Sequence, residues 1–205
     1  MITADWIETE ARSFHLALTK VEIDAVLAYL DLLRKWNKKV NLTGIRSEEE
    51  AVRLHFLESF FAANQLPSGY LRVVDVGSGA GFPGLAMKIV RPEIRVVLLD
   101  SRKKKTLFQK EVARRLGMRH TASYSLRLLE SAPFLQQADV VCWRGLKIEG
   151  KDFEFLKSNT AHSCLYLCFQ GATERSEQML EGCEIRKIAV PRTESRAVLL
   201  ARKTS

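Results

Sequence analysis

The stretch VVDVGSGAGFPG, residues 73–84, leads from an apolar strand pattern directly into a glycine-rich turn. Glycines in such a turn let the backbone adopt positive φ angles and approach a ligand closely. Asp75 precedes the first glycine by two residues, at the carboxyl end of the predicted strand, which is the edge where open α/β sheets bind ligands. The stretch therefore predicts a ligand site, and its carboxylate restricts which ligands fit.

Two cofactor classes fit the glycine spacing. Gly79, Gly81 and Gly84 match the dinucleotide fingerprint, and Asp100 follows at a distance suited to binding ribose hydroxyls. A dinucleotide pyrophosphate, however, would repel a carboxylate beside the turn, whereas S-adenosylmethionine brings an ammonium and a sulfonium group. The sequence therefore favours S-adenosylmethionine, and an NAD(P)-dependent oxidoreductase or a purely structural loop are the alternatives. The predicted contacts are Asp75, Gly77, Gly79 and Asp100.

The segments around this stretch indicate an α/β fold. Apolar strand patterns alternate with helical patterns, which predicts a mostly parallel sheet covered on both faces. The chain then ends in two strand patterns, EIRKIAV and RAVLLAR, joined by PRTES as a hairpin. Such an ending reverses one strand, and it is typical of Rossmann-like methyltransferases and uncommon in dehydrogenases. The other predicted strands are 71–76, 95–100, 120–124, 138–143 and 163–170, and the predicted helices between them are 84–90 and 102–116.

The first third of the chain has a helical rather than a strand pattern. Capping boxes at 19–22 and 47–50 each precede apolar residues at helical intervals, with the second helix running to about residue 63. We therefore expect an N-terminal helical extension over residues 1–66, packed on a main domain over residues 67–205.

Composition restricts the cellular setting. No run approaches the roughly 18 apolar residues of a membrane span, and the N-terminus lacks the pattern of a signal sequence. The four cysteines include no CxxC pair, which favours buried thiols over a zinc site. We expect a cytoplasmic protein without a metal or a membrane partner.

Basic residues exceed acidic ones by 32 to 24, giving a net charge of +8. Such an excess suggests a polyanionic partner, of which nucleic acid is the commonest, but the excess alone is equally compatible with a merely solvated surface, and it is the clustering of the basic residues that favours the partner. One basic run lies at the start of a predicted helix, where cations oppose the helix dipole, so an anionic partner would explain it better than solvent alone. The predicted phosphate contacts are Lys38, Lys39, Arg102, Lys103, Lys104 and Lys105.

Several of these segments resemble one known family. The segments DVGSGAGFPGLAMKIVRP and LLDSRKKKTLF, with KWNKKVNLTGI and HFLES upstream, are similar to the GidB/RsmG family of bacterial methyltransferases, and the match extends over about residues 20–117. The resemblance implies a Rossmann-like class I methyltransferase fold with a mostly parallel seven-stranded sheet. It also implies S-adenosylmethionine-dependent methylation of guanine N7 in 16S ribosomal RNA, with the small ribosomal subunit or its RNA as partner.

The resemblance further implies cofactor contacts at Gly77, Phe82, Leu128 and Arg144, with Leu128 acting through its backbone. Arg144 is also our candidate for positioning the substrate, because a cation could bind guanine O6 while N7 reacts. A salt bridge to a neighbouring acid or to Asp75 is the alternative for this arginine. Guanine N7 carries no proton, so the reaction needs no general base, and His55 is predicted to be a hydrogen-bonded helix residue rather than a catalyst.

Three positions depart from the family pattern. Leu129 and Gln170 stand where the family has glutamate and lysine, and Glu58 stands where aspartate is usual. These departures keep two alternatives open: a methyltransferase acting on another RNA or a small molecule, and a non-catalytic RNA-binding relative.

Overall fold

The protein, seen in a computed structural model that describes residues 2–40, 42–171, 177 and 180–204, is built on one seven-stranded sheet. The strands run in the order β3-β2-β1-β4-β5-β7-β6. They are β1 (Arg72–Val76), β2 (Arg95–Leu99), β3 (Thr121–Tyr124), β4 (Val140–Trp143), β5 (Leu165–Gln170), β6 (Cys183–Ala189) and β7 (Ala197–Lys203).

Helices precede the sheet and connect its strands. Before β1 lie α1 (Ala4–Ser13), α2 (Lys20–Val40), α3 (Glu48–Glu50), a π-helix (Ala51–Leu57) and α4 (Glu58–Ala63). The connections contain α5 (Gly84–Val90), α6 (Lys103–Arg115), a 3₁₀ turn (Leu128–Glu130), α7 (Ala132–Leu135) and α8 (Gly150–Asn159). No described helix has both the length and the apolar character that a membrane crossing requires.

The sheet confirms the predicted fold class. Strands β1 to β5 pair in parallel, and β7 inserts between β5 and β6 and runs antiparallel to both. This is a Rossmann-like methyltransferase sheet with one reversed strand. Since β1, β2 and β4 are parallel neighbours, the loops that follow them meet at one edge of the sheet.

The helices before β1 share an apolar core with the sheet. Val26, Leu30 and Phe56 from this region are buried in the same cluster as Val73 and Leu98 of the central strands. The predicted boundary at residue 66 therefore does not separate two cores, and the division into 1–66 and 67–205 stays a prediction. The physical reason is that α2 is amphipathic and buries its apolar face against the main domain.

The predicted helix from residue 47 to 63 has the predicted extent but not uniform geometry. Ser47 caps its start by accepting a hydrogen bond from the Glu50 amide at 3.1 Å. The central turn over Ala51–Leu57 is a π-helix, a form that often marks functional sites. Hydrophobic spacing does not distinguish it from an α-helix over so short a stretch. The four cysteines are thiols, three of them buried.

Candidate active site

The glycine-rich loop after β1 depends on a glycine at position 81. Gly81 has a φ of +89°, and a Cβ built on it would collide with the Tyr29 hydroxyl and lie 2.6 Å from Leu85 Cδ1. A side chain there would be strained by the backbone and blocked by buried neighbours. The loop conformation is therefore specified by the glycine together with the atoms packed beneath it.

Tyr29 of α2 supports this loop from below. Its hydroxyl donates a hydrogen bond to the Ala80 carbonyl at 2.5 Å, and its ring stacks on Phe82 with centroids 5.4 Å apart. Tyr29 is completely buried. The helical extension therefore contributes directly to the geometry of the loop.

Asp100, at the end of β2, joins the loop to the next helix. Its carboxylate accepts hydrogen bonds from the Gly79 amide and the Arg102 amide, each at 2.9 Å. Lys105 Nζ lies 3.9 Å from the same carboxylate. The structure thus brings Gly79, Asp100 and Lys105 together, as expected for a ligand site at this edge.

Asp75 lies beneath the loop rather than in its mouth. The residue is fully buried, and its Oδ2 accepts a hydrogen bond from the Gly84 amide at 2.8 Å. Burial raises the pKa of Asp75 to about 7, with the Gly84 amide opposing the rise and Asp100 adding to it. Contact between Asp75 and a bound ligand stays a prediction; in the structure the carboxylate anchors the start of α5.

A cavity of about 380 Å³ opens at this edge of the sheet. The glycine loop forms one wall, through Gly77, Gly79 and Phe82, and Lys105 lies on the rim. His55 from the π-helix and Arg144 after β4 contribute to the lining. Five predicted positions, counting Lys105 among the RNA contacts, therefore line one space.

Arg144 is anchored by a buried acid. Its Nη2 lies 2.8 Å from Glu58 Oε2, and its guanidinium lies over the Phe169 ring at 4.9 Å. Arg196 contacts the same carboxylate, with Nε 2.6 Å from Oε1. The salt bridge considered as the alternative for Arg144 is therefore present, with Glu58 and not Asp75 as the acid. It is compatible with a ligand role, since Arg144 also lines the cavity.

His55 is electrostatically unsuited to carry a proton. Burial lowers its pKa to about 3, and the positive charges of Arg144 and Arg196 contribute to the same shift. Its ring lies 5.1 Å from Phe82. At neutral pH the imidazole is uncharged, which agrees with a packed helix residue that faces the cavity.

Other predicted positions lie away from the cavity lining. Leu128 is in the 3₁₀ turn and packs against the core on the other face of the sheet. The remaining basic candidates are exposed: Lys38 and Lys39 at the end of α2, and Arg102, Lys103 and Lys104 at the start of α6. Their roles stay predictions.

Sequence reasoning missed three supporting residues. Tyr29 and Arg196 are far in sequence from the segments that they contact, and no local pattern marks them. Gln109 of α6 is buried and donates hydrogen bonds to the Gly79 carbonyl and the Ser78 hydroxyl, each at 2.8 Å. Its polar side chain on the buried face of a basic helix was the one available signal. Among the described residues, no three His, Cys, Asp or Glu side chains form a group that could bind a metal ion.

Comparison with known proteins gives concordant results. The family described as rRNA small subunit methyltransferase G, GidB, matches residues 22–195. The ribosomal RNA small subunit methyltransferase G of Methylobacillus flagellatus is 33% identical over 191 residues, 90% of each chain. The protein of the same name from Acetivibrio thermocellus is 42% identical over 120 residues, which cover 58% of this chain and 50% of that one. The chain thus spans about half the length of some curated relatives that it matches.

Solved structures share the fold at low identity. A SAM-dependent methyltransferase from Aquifex aeolicus superposes with a TM-score of 0.61 at 16% identity, covering 83% of this chain and 98% of that one. A ribosomal protein L11 methylase from Lactobacillus delbrueckii subsp. bulgaricus gives 0.60 at 18% identity, covering 74% and 80%. Both likenesses support the Rossmann-like methyltransferase architecture.

Proposed function

The chain belongs to the GidB family of small-subunit ribosomal RNA methyltransferases, and from that premise we propose that it transfers the methyl group of S-adenosylmethionine to guanine N7 in 16S ribosomal RNA. The observation that supports this most directly is the cavity between the glycine loop and Arg144. It lies at the carboxyl edge of parallel strands, where such sheets bind ligands.

The residues around the loop fit S-adenosylmethionine, which when bound supplies an electrophilic sulfonium methyl group. The loop backbone at Gly77 and Gly79 would approach the methionyl part and the sugar. Asp100 would accept hydrogen bonds from the ribose hydroxyls, because a carboxylate has about four acceptor positions and two amides use only part of them.

Catalysis would depend on aligning guanine N7 with the methyl group of the donor, and Arg144 would help to hold the guanine in that orientation. Guanine N7 attacks with its own lone pair, so no side chain has to remove a proton. The pKa of His55, lowered to about 3, makes its imidazole a poor proton acceptor, which agrees with this. Arg144 would donate a hydrogen bond to guanine O6, a common partner of arginine, and so orient N7 toward the methyl group. Oriented reactions of this kind reach effective molarities of roughly 10⁵–10⁸ M.

The proposal is tested by incubating the protein with labelled S-adenosylmethionine and with small ribosomal subunits whose 16S RNA has not been methylated at guanine N7. We expect label in one guanine of the 16S RNA, located by mapping the modified base. Titration calorimetry with S-adenosylmethionine and with NADH separates the enzyme classes. Tight binding of NADH alone would support the oxidoreductase alternative, and binding of the methyl donor without transfer would support a non-catalytic relative.

Replacing Asp75 with asparagine removes the charge of this residue but keeps an acceptor for the hydrogen bond from the Gly84 amide. The side-chain carbonyl of the new asparagine can still accept from the Gly84 amide. The folded-state pKa of Asp75 is raised, so ionisation costs stability as pH rises from the ordinary value of 3.8 toward about 7. We expect Asp75→Asn to be more stable than the wild type at pH 8, by up to about 4 kcal/mol for a shift of about three pKa units, with a smaller gain at pH 5. Urea unfolding at the two pH values measures both differences.

The same variant tests the predicted attraction of the donor's positive charge. If the Asp75 carboxylate attracts the positive charge of S-adenosylmethionine, the affinity of Asp75→Asn for this donor, measured by calorimetry, falls at least about tenfold. Asp139→Asn is the control, because Asp139 accepts from the Arg72 amide at 2.8 Å at the opposite edge of the sheet. An unchanged dissociation constant in Asp75→Asn would show that this carboxylate is only structural.

The basic start of α6 is expected to contact RNA phosphates. Lys103→Gln combined with Lys104→Gln should weaken RNA binding and reduce the slope of log affinity against log salt by about 1.4, since each phosphate contact on a single strand contributes about 0.7. Fluorescence anisotropy over a salt series measures both. The control is Lys20→Gln with Lys151→Gln, which removes two exposed lysines from other surfaces. Equal slopes in the two double variants would exclude this interface.

A further inference from the structure

A buried cluster of one acid and two arginines connects three distant parts of the chain. Glu58 comes from α4, Arg144 follows β4, and Arg196 immediately precedes β7. The side chains of Glu58 and Arg144 are 1% and 9% exposed, and that of Arg196 is 29% exposed. The C-terminal hairpin thereby reaches the cavity through a single carboxylate.

The three side chains are arranged unequally. Arg196 contacts both carboxylate oxygens: Nη2 donates a hydrogen bond to Oε2 at 3.1 Å, and Nε lies 2.6 Å from Oε1 in an ion-pair contact without hydrogen-bond alignment. Arg144 approaches Oε2 with Nη2 at 2.8 Å. Because Arg196 contacts both oxygens, Glu58 cannot turn to offer both of them to Arg144. A two-pronged contact with Arg144 would otherwise be the preferred geometry of such a pair.

A contribution to stability is a weak explanation for this cluster. Desolvation of buried charges offsets most of the attraction between them, and apolar replacements of such clusters are often neutral or stabilising. Two cations around one acid also leave an excess positive charge. A second restraint acts on Arg144, whose guanidinium lies 4.9 Å from the Phe169 ring. The contacts on Arg144 therefore restrict its orientation more than they favour folding.

We propose that Glu58 and Arg196 are positioning residues: Arg196 fixes the Glu58 carboxylate, and Glu58 fixes the Arg144 guanidinium in the orientation that receives the substrate base. The inference rests on the proposed function, because it assigns Arg144 to the guanine. In this arrangement the loop between β6 and β7, through Arg196, sets the geometry of the cavity. No described residue of that loop lines the cavity itself.

The kinetic test replaces Arg196 with glutamine. Glu58 is then released to form the two-pronged contact with Arg144, which turns the guanidinium away from the base. We expect kcat for methyl transfer, measured at saturating methyl donor, to fall about tenfold relative to the wild type. The melting temperature should not fall below that of Arg192→Gln, a control that removes an exposed arginine from the same loop.

A conservative variant and the control decide between positioning and structure. Arg196→Lys keeps the charge but supplies one point donor in place of a planar fork, so it should recover only part of kcat. A kcat for Arg196→Gln equal to that of Arg192→Gln would overturn the proposal. A fall in kcat that follows the folded fraction would overturn it as well, because it would show a purely structural role.

A second measurement does not depend on methyl transfer. Nitrogen-15 NMR of labelled arginine side chains reports rotation about the Nε–Cζ bond, and loss of a signal in Arg144→Lys assigns Arg144. We expect slow rotation for Arg144 in the wild type and in Arg192→Gln, and a changed rate and shift in Arg196→Gln. Unchanged Arg144 signals in Arg196→Gln would overturn the proposal. If the wild type methylates no subunit, the proposed function fails, and these signals still decide the arrangement of the cluster.

Discussion

Replacing Gly81 with alanine is expected to lower the free energy of unfolding by about 2–6 kcal/mol and to abolish measurable binding of S-adenosylmethionine. Two costs add here. The φ of +89° is unfavourable for alanine, at about 1–3 kcal/mol. The new methyl group also meets the Tyr29 hydroxyl and Leu85 Cδ1, both within the core, and overpacking of this kind costs about 1–3 kcal/mol.

Two further glycines separate these costs. Gly117 has a φ of +61° with no atom near its built Cβ, so Gly117→Ala measures backbone strain alone. Gly44 has neither a positive φ nor a close neighbour, so Gly44→Ala should be nearly neutral. Urea unfolding of the three variants gives the comparison, and calorimetry gives donor binding. If Gly81→Ala were as stable as Gly117→Ala, the close contact with Tyr29 would not govern the loop.

Replacing Asp100 with alanine is expected to weaken S-adenosylmethionine binding about 100-fold, which corresponds to about 2.7 kcal/mol. The substitution removes the acceptor for the Gly79 and Arg102 amides and the predicted acceptor for the ribose hydroxyls. Hydrogen bonds to a charged group contribute about 1.5–3 kcal/mol each, so losing the ribose contact alone would account for most of the change. Titration calorimetry at fixed pH measures the dissociation constant.

The matched control for this substitution is Asp139→Ala. Asp139 also accepts a backbone amide, that of Arg72 at 2.8 Å, but at the amino edge of the strands, away from the cavity. The Asp139→Ala variant should therefore bind S-adenosylmethionine with an affinity within about twofold of the wild type. Equal dissociation constants for Asp100→Ala and Asp139→Ala would contradict the assignment of Asp100 to the cofactor, and Asp100→Asn would then show whether one acceptor oxygen suffices for the loop.

Strand positions were predictable because each central strand is a continuous apolar run with a sharp end. The observed bounds Arg72–Val76 and Arg95–Leu99 differ from the predicted ones by one residue at an end. The helix Gly84–Val90 was predicted without error, since a glycine turn and a proline precede it. The π-helix was not predictable, because a seven-residue stretch has similar apolar spacing in both helix types.

The candidate site was predictable only in its local parts. The loop, Asp100 and Arg144 follow parallel strands, so their meeting at one edge follows from the fold class. The contact between Tyr29 and Ala80 joins residues 51 positions apart, and no periodicity reports such a pairing. For Asp75 the sequence correctly indicated the loop, but burial against Gly84 depends on three-dimensional packing. For the same reason, the sequence did not identify which acid pairs with Arg144, and the structure shows that it is Glu58.

The contact between Tyr29 and the loop has a consequence for how relatives can diverge. The Tyr29 hydroxyl of α2 lies where the Cβ of a side chain at position 81 would be, so position 81 cannot gain a side chain while residue 29 carries this hydroxyl. A chimaera that combined the first 66 residues of one relative with the rest of another would inherit a loop fitted to a different support. Recombination between relatives should therefore preserve this loop only when the residue that arrives at position 29 fits the residue at position 81.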